Sequence, residues 1–90
     1  MTKHPSAQKR HRQSLKRNAR NRAIRTQLRT FVRRVREAVA ERNAAAAGEH
    51  LRTAARALDK AVSKGVLHRN TAARKISRMT TAVQKLSASA

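Results

Sequence analysis

Ninety residues carry 23 Lys or Arg against 4 Asp or Glu, a formal net charge of +19. A chain of that length holds one small domain at most, and the absence of cysteine excludes a disulfide framework, a thiolate zinc site and a cysteine nucleophile. No apolar run approaches the roughly 18 residues of a membrane-spanning helix, and the polar, charged N-terminus does not read as a secretory signal.

Glycine and proline reduce to Pro5, Gly48 and Gly65. Ala, Arg, Leu, Gln and Lys dominate, all good helix formers, and no alternating β-branched run marks a strand. The fold class is all-α. Helix one is expected to start after Ser6, with Pro5 just outside and Ser6 as N-cap. It runs to about Glu41, roughly 50 Å at 1.5 Å per residue. Ile24, Leu28, Phe31, Val32, Val35, Ala38 and Val39 follow the i, i+3, i+4 rhythm of one buried stripe. Extended toward the N-terminus, that stripe meets Asn21, Arg20, Arg17, Gln13 and Arg10. The buried face therefore stops at Ile24, and the first half of the helix should project.

Asn43 is the expected N-cap of helix two, Ala44 to Lys64, with the stripe Ala47, Leu51, Ala54, Leu58, Ala61 and Val62. Gly48 is a weak point inside it, costing about 1 kcal/mol against alanine. Gly65 stands where a left-handed residue ends a helix, and Val66 can pack back on the last turn. Asn70 is the expected N-cap of helix three, Thr71 to about Leu86, with the stripe Ala72, Ile76, Met79, Val83 and Leu86. Two short connections imply antiparallel neighbours. The architecture is an antiparallel three-helix bundle with an extended, projecting N-terminal helix. Residues 1–90 form a single domain, divided into a basic arm (1–23), the bundle (24–86) and a short tail (87–90). Leu, Ile, Val and Phe together number only 15 of the 90 residues. That is below the roughly 20% under which a highly charged chain is expected to be partly disordered alone. A polyanionic partner would relieve the self-repulsion.

The charge is unevenly placed. Residues 1–36 hold 13 bases and no acid, residues 37–59 net −1 with all four acids, and residues 60–90 hold seven bases and no acid. Arg22, Arg25, Arg29, Arg33 and Arg36 line one side of helix one, away from the apolar stripe, with no acid expected to relieve them. Before Arg22, Lys9, Arg10, Arg12, Lys16, Arg17 and Arg20 point in all directions. Like charges at i, i+4 destabilise an isolated helix, whereas a helix charged all round fits between phosphate-bearing surfaces, with counterion release driving binding. Arginine outnumbers lysine 16 to 7, which favours forked phosphate contacts. Arg74, Arg78 and Lys85 repeat the pattern on helix three, with Lys75 beside them. His68, Arg69 and Asn70 sit at a helix N-terminus, whose free amides favour phosphate.

Catalytic chemistry has thin support. Glu37 and Glu41 lie one turn apart among Arg33, Arg34 and Arg36 and read as salt-paired surface acids. His4, His11, His50 and His68 lie at no ligand spacing, and no glycine-rich phosphate loop occurs. No enzyme, metal, cofactor, small-molecule substrate, membrane association or homo-oligomer is expected. Phe31 is the only aromatic, which argues against aromatic base-stacking platforms. Composition does not choose between DNA and RNA. A long helix charged on every side fits threading between packed RNA helices better than lying on one duplex face. The alternative is a nucleoid-type DNA-binding architectural protein.

The runs Ser6-Ala7-Gln8-Lys9-Arg10, Arg12-Gln13-Ser14, Lys16-Arg17-Asn18, Arg20-Asn21 and Arg29-Thr30 resemble the bacterial small-subunit ribosomal protein twenty family. So does Lys64-Gly65-Val66-Leu67-His68-Arg69-Asn70-Thr71-Ala72-Ala73-Arg74-Lys75, ending Ser77-Arg78-Met79. The resemblance covers essentially the whole chain. It implies a non-catalytic three-helix bundle that binds small-subunit (16S-type) ribosomal RNA early in assembly, in the cytoplasmic ribosome. Carried onto matching positions, it places RNA contacts on Lys9, Arg10, Arg12, Ser14, Lys16, Arg17, Asn18, Arg20, Asn21 and Arg29, and on His68, Arg69, Asn70, Arg74 and Arg78.

Overall fold

The computed structural model describes residues 5–88, with side chains from Ser6 onward. It contains α1 (Pro5–Ala40), α2 (Ala44–Ser63) and α3 (Arg69–Ala88), and no strand among the described residues. α1 is 36 residues long, about 54 Å. The molecule measures 68 × 21 × 15 Å with a radius of gyration of 18.0 Å, against about 12 Å for a compact chain of this length. The excess is the N-terminal half of α1. Every residue from Ser6 to Arg20 is exposed.

The helix ends follow from local chemistry, and several differ from expectation, among them α2, which ends at Ser63 with Lys64 as its C-cap. Pro5 is inside α1, not outside it, and Ser6 is not the cap. Proline suits a first-turn position, where its missing N–H has no partner to lose. At the other end, Arg42 takes a left-handed φ of 55°. Asn43 N–H donates to Ala38 C=O at 3.0 Å and Arg42 N–H to Val39 C=O at 3.0 Å, the paired bonds of a Schellman turn. Arginine fills a position where glycine is usual. Asn43 then caps α2 as expected, its Oδ1 accepting from Ala46 N–H at 3.1 Å.

α2 closes with a second Schellman turn. Gly65 has φ 76°, Val66 N–H donates to Ala61 C=O at 2.9 Å, and Val66 is buried. α3 then begins at Arg69, so Asn70 is inside the helix rather than its cap. His68 caps instead. Its C=O accepts from Thr71 and Ala72 N–H, and its Nδ1 accepts from Asn70 N–H at 3.1 Å. The ring nitrogen reaches the second free amide of the first turn, as an Asn or Asp oxygen would. α3 also runs on through Ser87 and Ala88, which removes half of the expected tail; Ser89 and Ala90 lie outside the described residues.

α2 is the middle layer. It packs extensively on α1 and on α3, whereas α1 and α3 touch only along a short stretch. Ala47, Ala54 and Ala61 repeat every seven residues down α2 and are 0%, 0% and 1% exposed. Small side chains let neighbouring helices approach closely, and Leu58 fills the space between. Leu28, Val35 and Ala38 of α1 and Ala72, Met79, Val83 and Leu86 of α3 complete the buried core. Ile24, Phe31, Val32, Val39, Leu51, Val62 and Ile76 pack around it, partly buried. Ile76, expected in the core, is thus at its margin.

Leu58→Ala should lower stability by about 2–5 kcal/mol in urea unfolding. Ile76→Ala should cost less than Leu58→Ala, because its site is already part-open; equal losses would contradict the layered packing. An added Cβ meets nothing within 4 Å at Gly48 or Gly65, so only backbone conformation matters there. Gly48→Ala should therefore stabilise and Gly65→Ala destabilise, each by about 1 kcal/mol, with opposite shifts in thermal midpoint.

Candidate nucleic-acid interface

The periodicity of α1 gives one helical face two characters. Inside the bundle, Leu28 and Val35 turn this face toward α2. One to three turns beyond the bundle, roughly the same face carries Gln13, Lys16, Arg17 and Arg20, which surround a shallow recess. A second recess, on roughly the opposite side of the helix at 3.6 residues per turn, is lined by Asn18, Asn21, Arg22, Arg25, Thr26 and Arg29. α1 therefore offers cationic concavities on two faces. Lys9, Arg10 and Arg12 lie further out and Ser14 lies within the span of the first recess, all exposed.

Hydrogen bonding leaves these surfaces to the guanidinium and ammonium groups. The Thr26 hydroxyl donates to Arg22 C=O at 3.0 Å and the Thr30 hydroxyl to Thr26 C=O at 3.1 Å, so both donors are spent within the helix. Asn21 departs from the fully exposed expectation. It is half-buried, one turn before Ile24, and its Oδ1 is shielded from solvent without a hydrogen-bond partner. That oxygen is not open to a ligand in this conformation. The arginine row is also not wholly unrelieved: Arg33 Nε lies 3.6 Å from Glu37 Oε1, one turn on, with both side chains mostly exposed. Such a pair contributes about 0.3–0.5 kcal/mol. Arg34, on another side, stands 5.9 Å from the centroid of the Phe31 ring. Arg22, Arg25 and Arg29 have no acid at i±4 in the sequence.

The second basic surface lies on α3 and its entry. His68, Arg69, Asn70, Arg74, Lys75 and Arg78 are all exposed. Because His68 Nδ1 accepts the Asn70 amide, the neutral ring carries its proton on Nε2, which remains a donor. The Asn70 amide is spent on this cap and is not free for phosphate. Arg74, Lys75 and Arg78 form one wall of a groove whose other wall includes Arg36 of α1. Sequence reasoning counted Arg36 in the α1 row but did not place it beside α3. Its position at the edge between the apolar stripe and the row was the available signal.

No group of His, Asp and Glu that could hold a metal ion occurs among the described residues, and no described helix is long and apolar enough to cross a membrane. What the surfaces offer is multiple fixed cations on a rigid rod and on the bundle beside it. Such an arrangement is chemically suited to neutralising the phosphates of a polyanion.

Residues 2–84 match the family described as ribosomal protein S20. The small ribosomal subunit protein bS20 of Wolinella succinogenes is 52% identical over 88 residues, covering 98% of this chain and 97% of that protein. The protein of the same name from Nitratidesulfovibrio vulgaris is 52% identical over 86 residues, 96% of this chain and 99% of its own. That from Helicobacter pylori is 48% identical over 86 residues, 96% and 97% of the two chains. With a cationic rod on an alanine-seamed bundle and this likeness along nearly its whole length, the chain belongs to the ribosomal protein S20 family of structural, non-enzymatic small-subunit proteins.

Proposed function

We propose that the protein binds small-subunit ribosomal RNA directly and stabilises its folding during assembly of the cytoplasmic ribosome. The observation that carries this reading is the state of residues 6–20: helical, exposed at every position and free of acid. A helix of that kind has no apolar face with which to stabilise itself by packing. Phosphates on more than one side supply the missing counter-charge, and the released counterions drive association. Residues 1–23 act as an arm held between RNA elements, and the bundle fixes its direction.

The contact set divides by location. Lys9, Arg10, Arg12, Ser14, Lys16, Arg17, Asn18, Arg20 and Asn21 belong to the arm. Arg22, Arg25, Arg29 and Arg33 carry the track along the bundle, with Arg33 partly engaged by Glu37. His68, Arg69, Asn70, Arg74, Lys75 and Arg78 form the second surface. Asn21 contributes through its amide nitrogen, since its oxygen is shielded. Phosphate and sugar contacts of this kind position a protein on RNA by shape, without reading base edges. The nucleoid-type DNA reading gains no observation of its own.

Replacing Arg17 and Arg20 with Ala should weaken binding to small-subunit ribosomal RNA and reduce the slope of log K against log salt by about one per lost contact. A filter-binding titration across salt concentrations measures both; an unchanged slope rejects the arm as a contact surface. His68→Asp separates capping from RNA contact. Aspartate is a strong N-cap, so thermal stability should be retained or raised, while its negative charge beside phosphate should weaken RNA binding. His68→Ala should lose about 0.5–2 kcal/mol of stability. Unaltered RNA affinity in His68→Asp would remove His68 from the interface.

A further inference from the structure

The groove between α1 and α3 is unlike the rest of the surface. Its floor is apolar: half-buried Val32 and Val39 from α1 and Ala82 from α3, lying over the buried Val35 and Met79. Its walls carry Arg36 on one side and Arg74, Lys75 and Arg78 on the other, with no acid among the lining residues. All four cations are exposed. This is also the seam along which the bundle is least closed. Two walls of like charge repel, so the seam has an electrostatic reason to stay open until an anion lies in it. The groove between α1 and α2 differs, since Asp59 stands among its basic residues Arg56, Lys60 and Lys64.

We infer that the α1/α3 groove seats one locally unpaired RNA strand, with phosphates on Arg36, Arg74, Lys75 and Arg78 and a base or ribose face on the half-buried floor of Val32, Val39 and Ala82. The inference rests on the RNA-binding reading above and adds the kind of RNA taken at this place. Three observations favour a single strand. The cationic row Arg22, Arg25, Arg29 continues along α1 to Arg36 at the groove's rim, so a backbone tracked along the row is led into it. Arg74 and Arg78 are one turn apart, about 6 Å along the helix, close to the repeat of phosphates on an extended strand. Finally, a duplex presents phosphates and groove edges and would leave the aliphatic floor unfilled, whereas an unpaired nucleotide offers an apolar face. Guanidinium planes and half-buried aliphatic side chains can receive that face without an aromatic ring. A strand seated there bridges α1 to α3 and closes the open seam.

The chain has no Trp or Tyr, so Ala40→Trp, at an exposed position lining the groove, gives a single fluorescent reporter in the full-length protein. Hexauridylate should quench its emission, and a 12-base-pair RNA duplex at the same salt should bind without comparable quenching. Adding Arg74→Ala and Arg78→Ala should weaken the hexamer's apparent Kd by about tenfold or more, as loss of two charge-assisted contacts implies. Removing two cations elsewhere, Lys60→Ala with Lys85→Ala, should weaken it far less; circular dichroism checks that each variant remains helical. Equal quenching by duplex, or equal weakening by the two pairs, overturns the inference. So does tighter seating of an acidic amphipathic peptide than of RNA at matched salt, which would make the groove a protein-docking site. Labelled small-subunit ribosomal RNA is titrated in parallel. If it binds tightly but hexauridylate leaves the reporter unchanged, this inference alone fails; if neither RNA binds, the functional reading fails with it.

Discussion

The structure depends on the column of small side chains down α2. Ala47, Ala54 and Ala61 are essentially solvent-free, and they lie on the helix that both others share. A chain with fifteen large apolar residues has little bulk to bury. It gains cohesion from proximity instead, because dispersion grows steeply as surfaces close. A larger residue in that column would push a neighbour outward, typically at about 1–3 kcal/mol. The column also determines the direction of α1. Held by its C-terminal half against α2, α1 projects as a continuous rod.

Charge placement complements that packing. All four acids fall between residues 37 and 59, around the α1–α2 turn and along α2. The arm and α3 have none. Local neutralisation is therefore available where the bundle must hold together and withheld along the arm and α3. The Arg33–Glu37 pair marks the boundary between these regimes. On the arm side of it, cations accumulate without relief, a self-repulsion that a polyanionic partner would remove.

Much of this was legible in the sequence. Periodicity identified three helices and, for most positions, the buried face; Asn43 and Gly65 were readable because their side-chain chemistry matches one local geometry. Other features were not. Asn70 looked like the better cap by residue type, but His68 presents a ring nitrogen at the right reach, a geometry composition does not encode. Arg42 occupies a left-handed position with no glycine to announce it. Ile76 follows the stripe but lies at the core's margin, because periodicity tells which face is apolar and not how many neighbours cover it. For the same reason the open α1/α3 seam was invisible. The arm was legible through an absence: the stripe ends at Ile24 and the charge continues. Asn21 sits where these two signals meet, and neither indicated that its oxygen would be shielded.

The position of α2 in the chain has a further consequence for order of events. During synthesis the N-terminal segment emerges first, and domains fold as their partners become available. The alanine column that orients α1 is complete only once residue 61 has appeared. Until then, 13 bases and no acid within the first 36 residues form a nascent polycation without a packed base. The protein thus passes through a stage in which its electrostatic reach precedes its shape. Non-specific capture by any nearby polyanion is the hazard of that interval, and docking of α2 ends it by turning a loose cationic tether into a directed rod.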